Sequence, residues 1–194
     1  HLTFEKKSIF NQPMTLPDSL THLTFEEYSF FNQPIILPNN LTHLALGYYF
    51  NQPITLPNNL THLVLGYNFN QPIILPNDLT HLTIGCNFNQ PIILPNSLTH
   101  LNLDTKDHSS ITLPNSLTHL YVNTNISITL PSNLKYLFLC DNYNKPIKIN
   151  SERKESEKLT IKLCPYNFHK IFPSENDFEN IIVIDYGDEI IKIK

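Results

Sequence analysis

Leu60-Thr61-His62-Leu63-Val64-Leu65-Gly66-Tyr67-Asn68, followed by Phe69-Asn70-Gln71-Pro72-Ile73-Ile74-Leu75-Pro76, decides how the chain is read. Alone it is a short apolar run and a proline-punctuated loop. Copies of it recur from the first residue to about Leu139. Aligned on Leu-Thr-His-Leu, they place His1, His22, His43, His62, His81, His100 and His119 in one column, with Tyr136 next in the same slot. The steps are 21, 21, 19, 19, 19, 19 and 17 residues. Such a period marks stacked-coil architectures, in which no unit buries its apolar face alone.

Within a unit the pattern is Leu-x-x-Leu-x-Leu-x-x-Asn, the signature of leucine-rich repeats. Leu60, Leu63 and Leu65 are the inward side chains of a short strand, and period-2 alternation turns His62 and Val64 to the opposite side. Phe69 is placed to fill the end of the coil. Pro72 fixes φ and removes a donor, which suits an extended return leg rather than a helix. On that leg Ile73 and Leu75 head apolar columns, whereas position 74 alternates between Ile and Thr as an outward position would. Pro76 closes the leg and Asn77-Asp78 turns the chain into the next strand.

The expected fold is therefore mainly β: a leucine-rich-repeat-like solenoid with a parallel sheet, coils of 17–21 residues and little or no helix. Extended, β-capable legs are expected behind the sheet. Strands stacked at ~4.8 Å give about seven coils a core roughly 35 Å long. Residues 1–139 form the solenoid, and 140–194 a degenerate last repeat and C-terminal cap. The cap is inferred from a change of character: residues 138–194 hold nineteen of the thirty charged side chains, against a 15% charged average for the chain. Leu159–Leu163, Ile181–Ile184 and Ile190–Ile193 read as strands there, and Ser151–Lys158 as a solvated loop. An open solenoid end needs such a cover, and these strands are too few for a core of their own.

The departures from the repeat are expected at the two ends. The first two units carry two extra turn residues, Glu5 to Ile9 and Glu26 to Phe30, so that edge bulges and is charged. In the unit from His100, Asp107-His108-Ser109-Ser110 replaces Phe-Asn-Gln-Pro. The chain opens inside a repeat, without Met or leader, so a preceding segment is expected.

Phe50-Asn51-Gln52-Pro53-Ile54, Phe69-Asn70-Gln71-Pro72-Ile73 and Phe88-Asn89-Gln90-Pro91-Ile92, with the intervening Leu-Pro-Asn-x-Leu-Thr-His-Leu, resemble the FNIP repeat family over roughly residues 1–139. The resemblance implies a leucine-rich-repeat-like fold and an origin in social amoebae or giant viruses of amoebae. In viral members such repeats often follow an F-box, which implies the substrate-recruiting arm of a ubiquitin ligase. The units here lack the Gly that commonly follows Pro-Ile in the family's longer repeat.

Composition excludes several classes. A net charge of −4 with no Lys/Arg stripe offers no footprint for nucleic acid. No apolar run reaches the length of a membrane span. Cys86, Cys140 and Cys164 are odd in number and far apart, which reads as free thiols in a reducing, intracellular compartment. The triplets at Asn40, Asn59 and Asn125 match the glycosylation sequon but arise readily in an Asn- and Thr-rich repeat. Gly-rich phosphate loops, nucleophile elbows and metal-binding His-Glu-x-x-His are absent from the sequence, and no cofactor is expected.

The remaining candidate is the histidine column His22, His43, His62, His81, His100 and His119. Its rings are expected at the inter-strand spacing, stacked and hydrogen-bonded to one another or to the Thr column. A flat ladder gives an ion at most two neighbouring ligands, so the reading favours shielding over metal binding. Two protonated rings ~4.8 Å apart repel by about 0.9 kcal/mol even in water, so the column is expected to resist charging in mild acid. Tyr48, Tyr67 and Tyr121 fall on or beside this face and are candidate partner anchors. The expected function is a non-enzymatic protein–protein interaction scaffold presenting a His/Thr/Tyr face to a protein partner, a ligase substrate or another copy of itself. The alternative is an assembly component of a virus particle.

Overall fold

The computed structural model describes residues 1–105, 111–140, 143, 145, 147–149, 159–162, 181–186 and 189–191. The Leu-Thr-His-Leu units give strands β1 (Leu2–Phe4), β2 (His22–Phe25), β3 (His43–Ala45), β4 (His62–Val64), β5 (His81–Ile84), β6 (His100–Leu103) and β7 (His119–Val122). β8 (Ile128–Leu130) and β10 (Ile147–Ile149) lie on return legs, while β9 (Tyr136–Leu139) and β11 (Leu159–Lys162) return to the main face. β12 (Ile181–Tyr186) and β13 (Glu189–Ile191) follow.

One sheet runs β1-β2-β3-β4-β5-β6-β7-β9-β11-β12-β13. Every pair is parallel until β13, which returns antiparallel to β12. The register joins like to like: His43 pairs with His62, Leu44 with Leu63 and Ala45 with Val64. Parallel strands need a crossover, and here each crossover is one coil of the solenoid. The described residues contain no helix. The fold is the mainly β, leucine-rich-repeat-like solenoid expected from the period.

Burial follows the alternation. Leu60, Leu63, Leu65 and Phe69 are buried, and Leu75 nearly so, whereas Val64 is exposed and His62 half-buried. Ile74, at the wavering position, is 91% exposed. The core is a stack of identical layers, and the rings of Phe31, Phe50, Phe69 and Phe88 repeat at 6.1–6.3 Å along it.

Two tight turns shape each coil. In one, the amide of Leu60 donates to the Pro57 carbonyl at 3.2 Å, closing Pro57-Asn58-Asn59-Leu60, and the same bond recurs at Leu79 and Leu98. In the other, the amide of Phe69 donates to Gly66 at 3.2 Å. The two longer turns at the N-terminal end put Lys7 and Tyr28 at φ of 62° and 61°. The charge expected at that edge is present as the Lys6–Glu27 ion pair, 2.6 Å long.

The return legs differ from expectation in how they are held. Among the described residues only β8 and β10 pair as strands there, in the decayed part of the repeat. In the regular coils each leg contains a proline, which cannot donate to a ladder. A side-chain ladder takes over. The Asn51 Oδ1 accepts the Asn70 amide at 2.8 Å and Gln71 Nε2 at 3.2 Å, and Asn32 and Asn70 do the same for the coils that follow them. Asn and Gln in Phe-Asn-Gln-Pro are thus the inter-coil acceptor and donor.

β11 lies where the sequence places a degenerate strand, and it pairs with β9 in register Thr160–Tyr136. β12 and β13 match the other two expected strands in part. The expected Asp107-His108-Ser109-Ser110 departure, the Ser151–Lys158 loop and Cys164 lie outside the described residues.

Candidate interaction surface

Three side-chain rows run across the strands on the outer side of the sheet. The first is the histidine column. Its ring centroids are 4.0–4.2 Å apart from His22 to His119, with planes inclined by only 10–13°. The rings therefore lean together, closer than the strand spacing. His1 stacks on His22 at 3.7 Å and Tyr136 on His119 at 4.6 Å, so the stack is continuous. The rings do not hydrogen-bond to one another. Each Nδ1 instead meets the hydroxyl of the preceding threonine at 2.8–2.9 Å, as in Thr61–His62.

That threonine fixes the tautomer. Thr61 Oγ1 also lies 3.1 Å from the Thr42 carbonyl oxygen, which can only accept. A hydroxyl has one proton, so it donates to the carbonyl and accepts from Nδ1–H. The same pair of bonds occurs at Thr42, Thr80, Thr99 and Thr118. Nε2 is left as the lone-pair nitrogen of His43, His62, His81, His100 and His119. Burial, and then neighbouring imidazoles, lower the pKa of His62 to about 4. Burial first and the adjacent rings second also lower His22, His81 and His119. The stacked lone pairs lie side by side and do not converge on a tetrahedral centre. Among the described residues no group of three or more His, Cys, Asp or Glu side chains is placed to hold a metal ion.

The second row is Thr24, Ala45, Val64, Thr83, Asn102, Tyr121 and Phe138, paired strand to strand. It is small at one end and aromatic at the other, where Tyr121 meets Phe138 at 5.7 Å. The third row sits at the turn. Tyr28, Tyr48 and Tyr67 stack there at 5.2 and 4.5 Å.

The structure thus brings Tyr48 and Tyr67 together and sets Tyr121 apart, on the strand face. Tyr121 belongs with Tyr136 and Phe138, both exposed and both absent from the sequence-based candidates. Their alternation with buried Leu137 and Leu139 was the available signal.

Grooves follow these rows. One of 620 Å³ lies along the third row, with Thr24, Ala45, Val64, Thr83 and Asn102 as its inner side. A second of 300 Å³ lies along the histidines and shares Val64, Thr83 and Asn102 with the first. The first depends on glycine. A Cβ on Gly66 would overlap the Gly47 carbonyl oxygen, and one on Gly85 the Gly66 carbonyl oxygen. Cys86 and Cys140 are free and half-buried. No helix of the described residues is long and apolar enough to cross a membrane.

The FNIP Repeat family model matches residues 31–55, 50–87 and 88–125. The chain carries FNIP repeats. Their Phe, Asn and Pro are the ring column, the inter-coil acceptor and the donorless leg residue described above. Among solved structures, the giant-virus protein CroV588, described as a novel circular LRR protein, matches at 38% identity with a TM-score of 0.60. The alignment covers 91% of this chain and 32% of that one, so the FNIP chain spans about a third of CroV588. None of the curated proteins compared matches the chain.

Proposed function

We propose that this FNIP-repeat chain is a non-enzymatic protein-interaction scaffold whose outer strand face receives a protein partner. The observation that supports it most is the trough on that face: two grooves sharing Val64, Thr83 and Asn102, flanked by the histidine and tyrosine stacks. Rows repeated from coil to coil suit recognition of an extended surface, whereas catalysis needs one residue unlike its neighbours. His22, His43, His62, His81, His100, His119, Tyr48, Tyr67 and Tyr121 are the proposed contacts, acting in an intracellular compartment. Recruitment for ubiquitin ligation is the finer reading, resting on the family resemblance.

The test is capture of partners from a host-cell lysate by the wild type and by Thr83→Arg, which fills the shared part of the trough. Partners lost in Thr83→Arg but kept in Ile74→Arg, on the opposite side of the coil, support the proposal. Equal capture by both variants refutes it. Assembly into a particle is the second reading. Ile36, Ile74 and Ile93, each about 90% exposed in one row, favour it. Concentration-dependent sedimentation abolished by Ile74→Arg would decide for it.

A further inference from the structure

We infer that the trough takes an extended polypeptide segment bearing cationic side chains about six residues apart. The inference rests on the interaction reading above and names the partner's chemistry.

Among the described residues the charged groups lining the trough are Glu26, Glu27 and Asp104, with no Lys or Arg. Glu27 is already paired: Lys6 Nζ lies 2.6 Å from its carboxylate and 5.6 Å from the Tyr28 ring centroid. The chain itself thus shows an ammonium held at this end by a carboxylate and an aromatic face. The Lys6 ion pair is made with Glu27, and Lys6 also interacts electrostatically with Glu26, so Asp104 and the remaining field of Glu26 face a partner. Glu26 accepts the Lys6 amide at 3.0 Å and Asp104 accepts Asn123 Nδ2 at 2.8 Å, and each oxygen retains further lone pairs.

The opposite wall has the same polarity. The threonine bonds make Nε2 the acceptor nitrogen along the histidine column. A donor-rich, positive segment is complementary to both walls, and an acidic one to neither.

Spacing supplies the register. Glu26 and Asp104 belong to the second and sixth coils, four inter-strand steps or ~19 Å apart. An extended chain advances about 3.3 Å per residue, so this span is about six residues. An even number returns side chains to the same face of the segment.

The probe is a fluorescein-labelled ten-residue Ser/Thr peptide with Arg at its second and eighth positions. Two controls carry Glu at those positions, or Arg at the second and fifth. Anisotropy at low salt is expected to show the first peptide binding at least about tenfold tighter than either control. Asp104→Lys and Glu26→Lys should each weaken it by about tenfold or more. Equal binding of the Glu peptide, equal binding of the second-and-fifth peptide, or full affinity in both charge-reversal variants overturns the inference. If no peptide binds while Thr83→Arg still loses its lysate partner, the surface stands and the cationic assignment falls. If Thr83→Arg loses nothing either, both fall.

Discussion

Gly66→Ala tests the packing that shapes the trough. Its Cβ would overlap the Gly47 carbonyl oxygen and lie 2.8 Å from both the Gly47 carbonyl carbon and the Leu46 oxygen. All three obstacles are backbone. Relief requires the third and fourth coils to part by about 1 Å, since carbon atoms settle at about 3.5–4.0 Å. Main-chain bonds pin them on both sides: Leu46 donates to Val64 at 2.9 Å and Asn68 to Tyr48 at 3.0 Å.

Overpacking costs about 1–3 kcal/mol where side chains can yield, and more where they cannot. The stiffer unfolded chain returns about 0.4–1 kcal/mol. A net loss of about 3 kcal/mol is expected, a fall in Tm of about 6–12 °C for a domain of this size. Gly47→Ala is the internal comparison. Its Cβ meets Ser29 Cβ at 3.0 Å and Phe25 Cβ at 3.3 Å, so the loss should be about 1 kcal/mol or less. Gly85→Ala should resemble Gly66→Ala. Urea denaturation of the three variants measures the order. Equal losses at Gly47 and Gly66 would refute the close approach.

Two further outcomes follow from the ladders. The pKa of His62 is lowered to about 4 and those of His22, His81 and His119 are lowered too, so the folded state binds fewer protons than the unfolded state. Their contribution to stability is present above the unfolded value near 6.5 and is lost as pH falls from there toward about 4. The urea midpoint should drop between pH 7.5 and 4.5, and nitrogen NMR should show Nδ1–H imidazole at neutral pH; an unchanged or rising midpoint contradicts the stacked column. Asn51→Ala removes the acceptor of the Asn70 amide and of Gln71 Nε2 and should cost about 1–3 kcal/mol, whereas Asn51→Asp, which keeps the acceptor, should cost less. Equal losses in the two variants by urea denaturation would show that the Oδ1 acceptor does not hold the legs together.

The coil was legible because its determinants are local. Leu60, Leu63 and Leu65 alternate with His62 and Val64, and a strand has only two faces, so inside and outside follow from parity. Pro57 and Pro76 marked the turns that the Leu60 and Leu79 amides close. The histidine column was legible too, since identical residues at a fixed period must stack once coils are in register. The leg was only partly so: the proline argued against a helix, but the Asn51 ladder links residues 19 and 20 apart and has no local signature.

What the sequence by itself determined is the unit: its strand, its two turns, and the side chains sent inward to make a core. What only the tertiary structure decided lies between units. It tilted the imidazoles to 4.0–4.2 Å and, through a threonine bonded to the coil before it, set which ring nitrogen carries the proton. It moved Tyr121 away from Tyr48 and Tyr67 and gave Gly66 and Gly85 their purpose. The physical reason is that a repeat pattern specifies direction, whereas tautomer, stacking distance and groove depth depend on the offset between neighbouring backbones, which exists only after the coils have stacked.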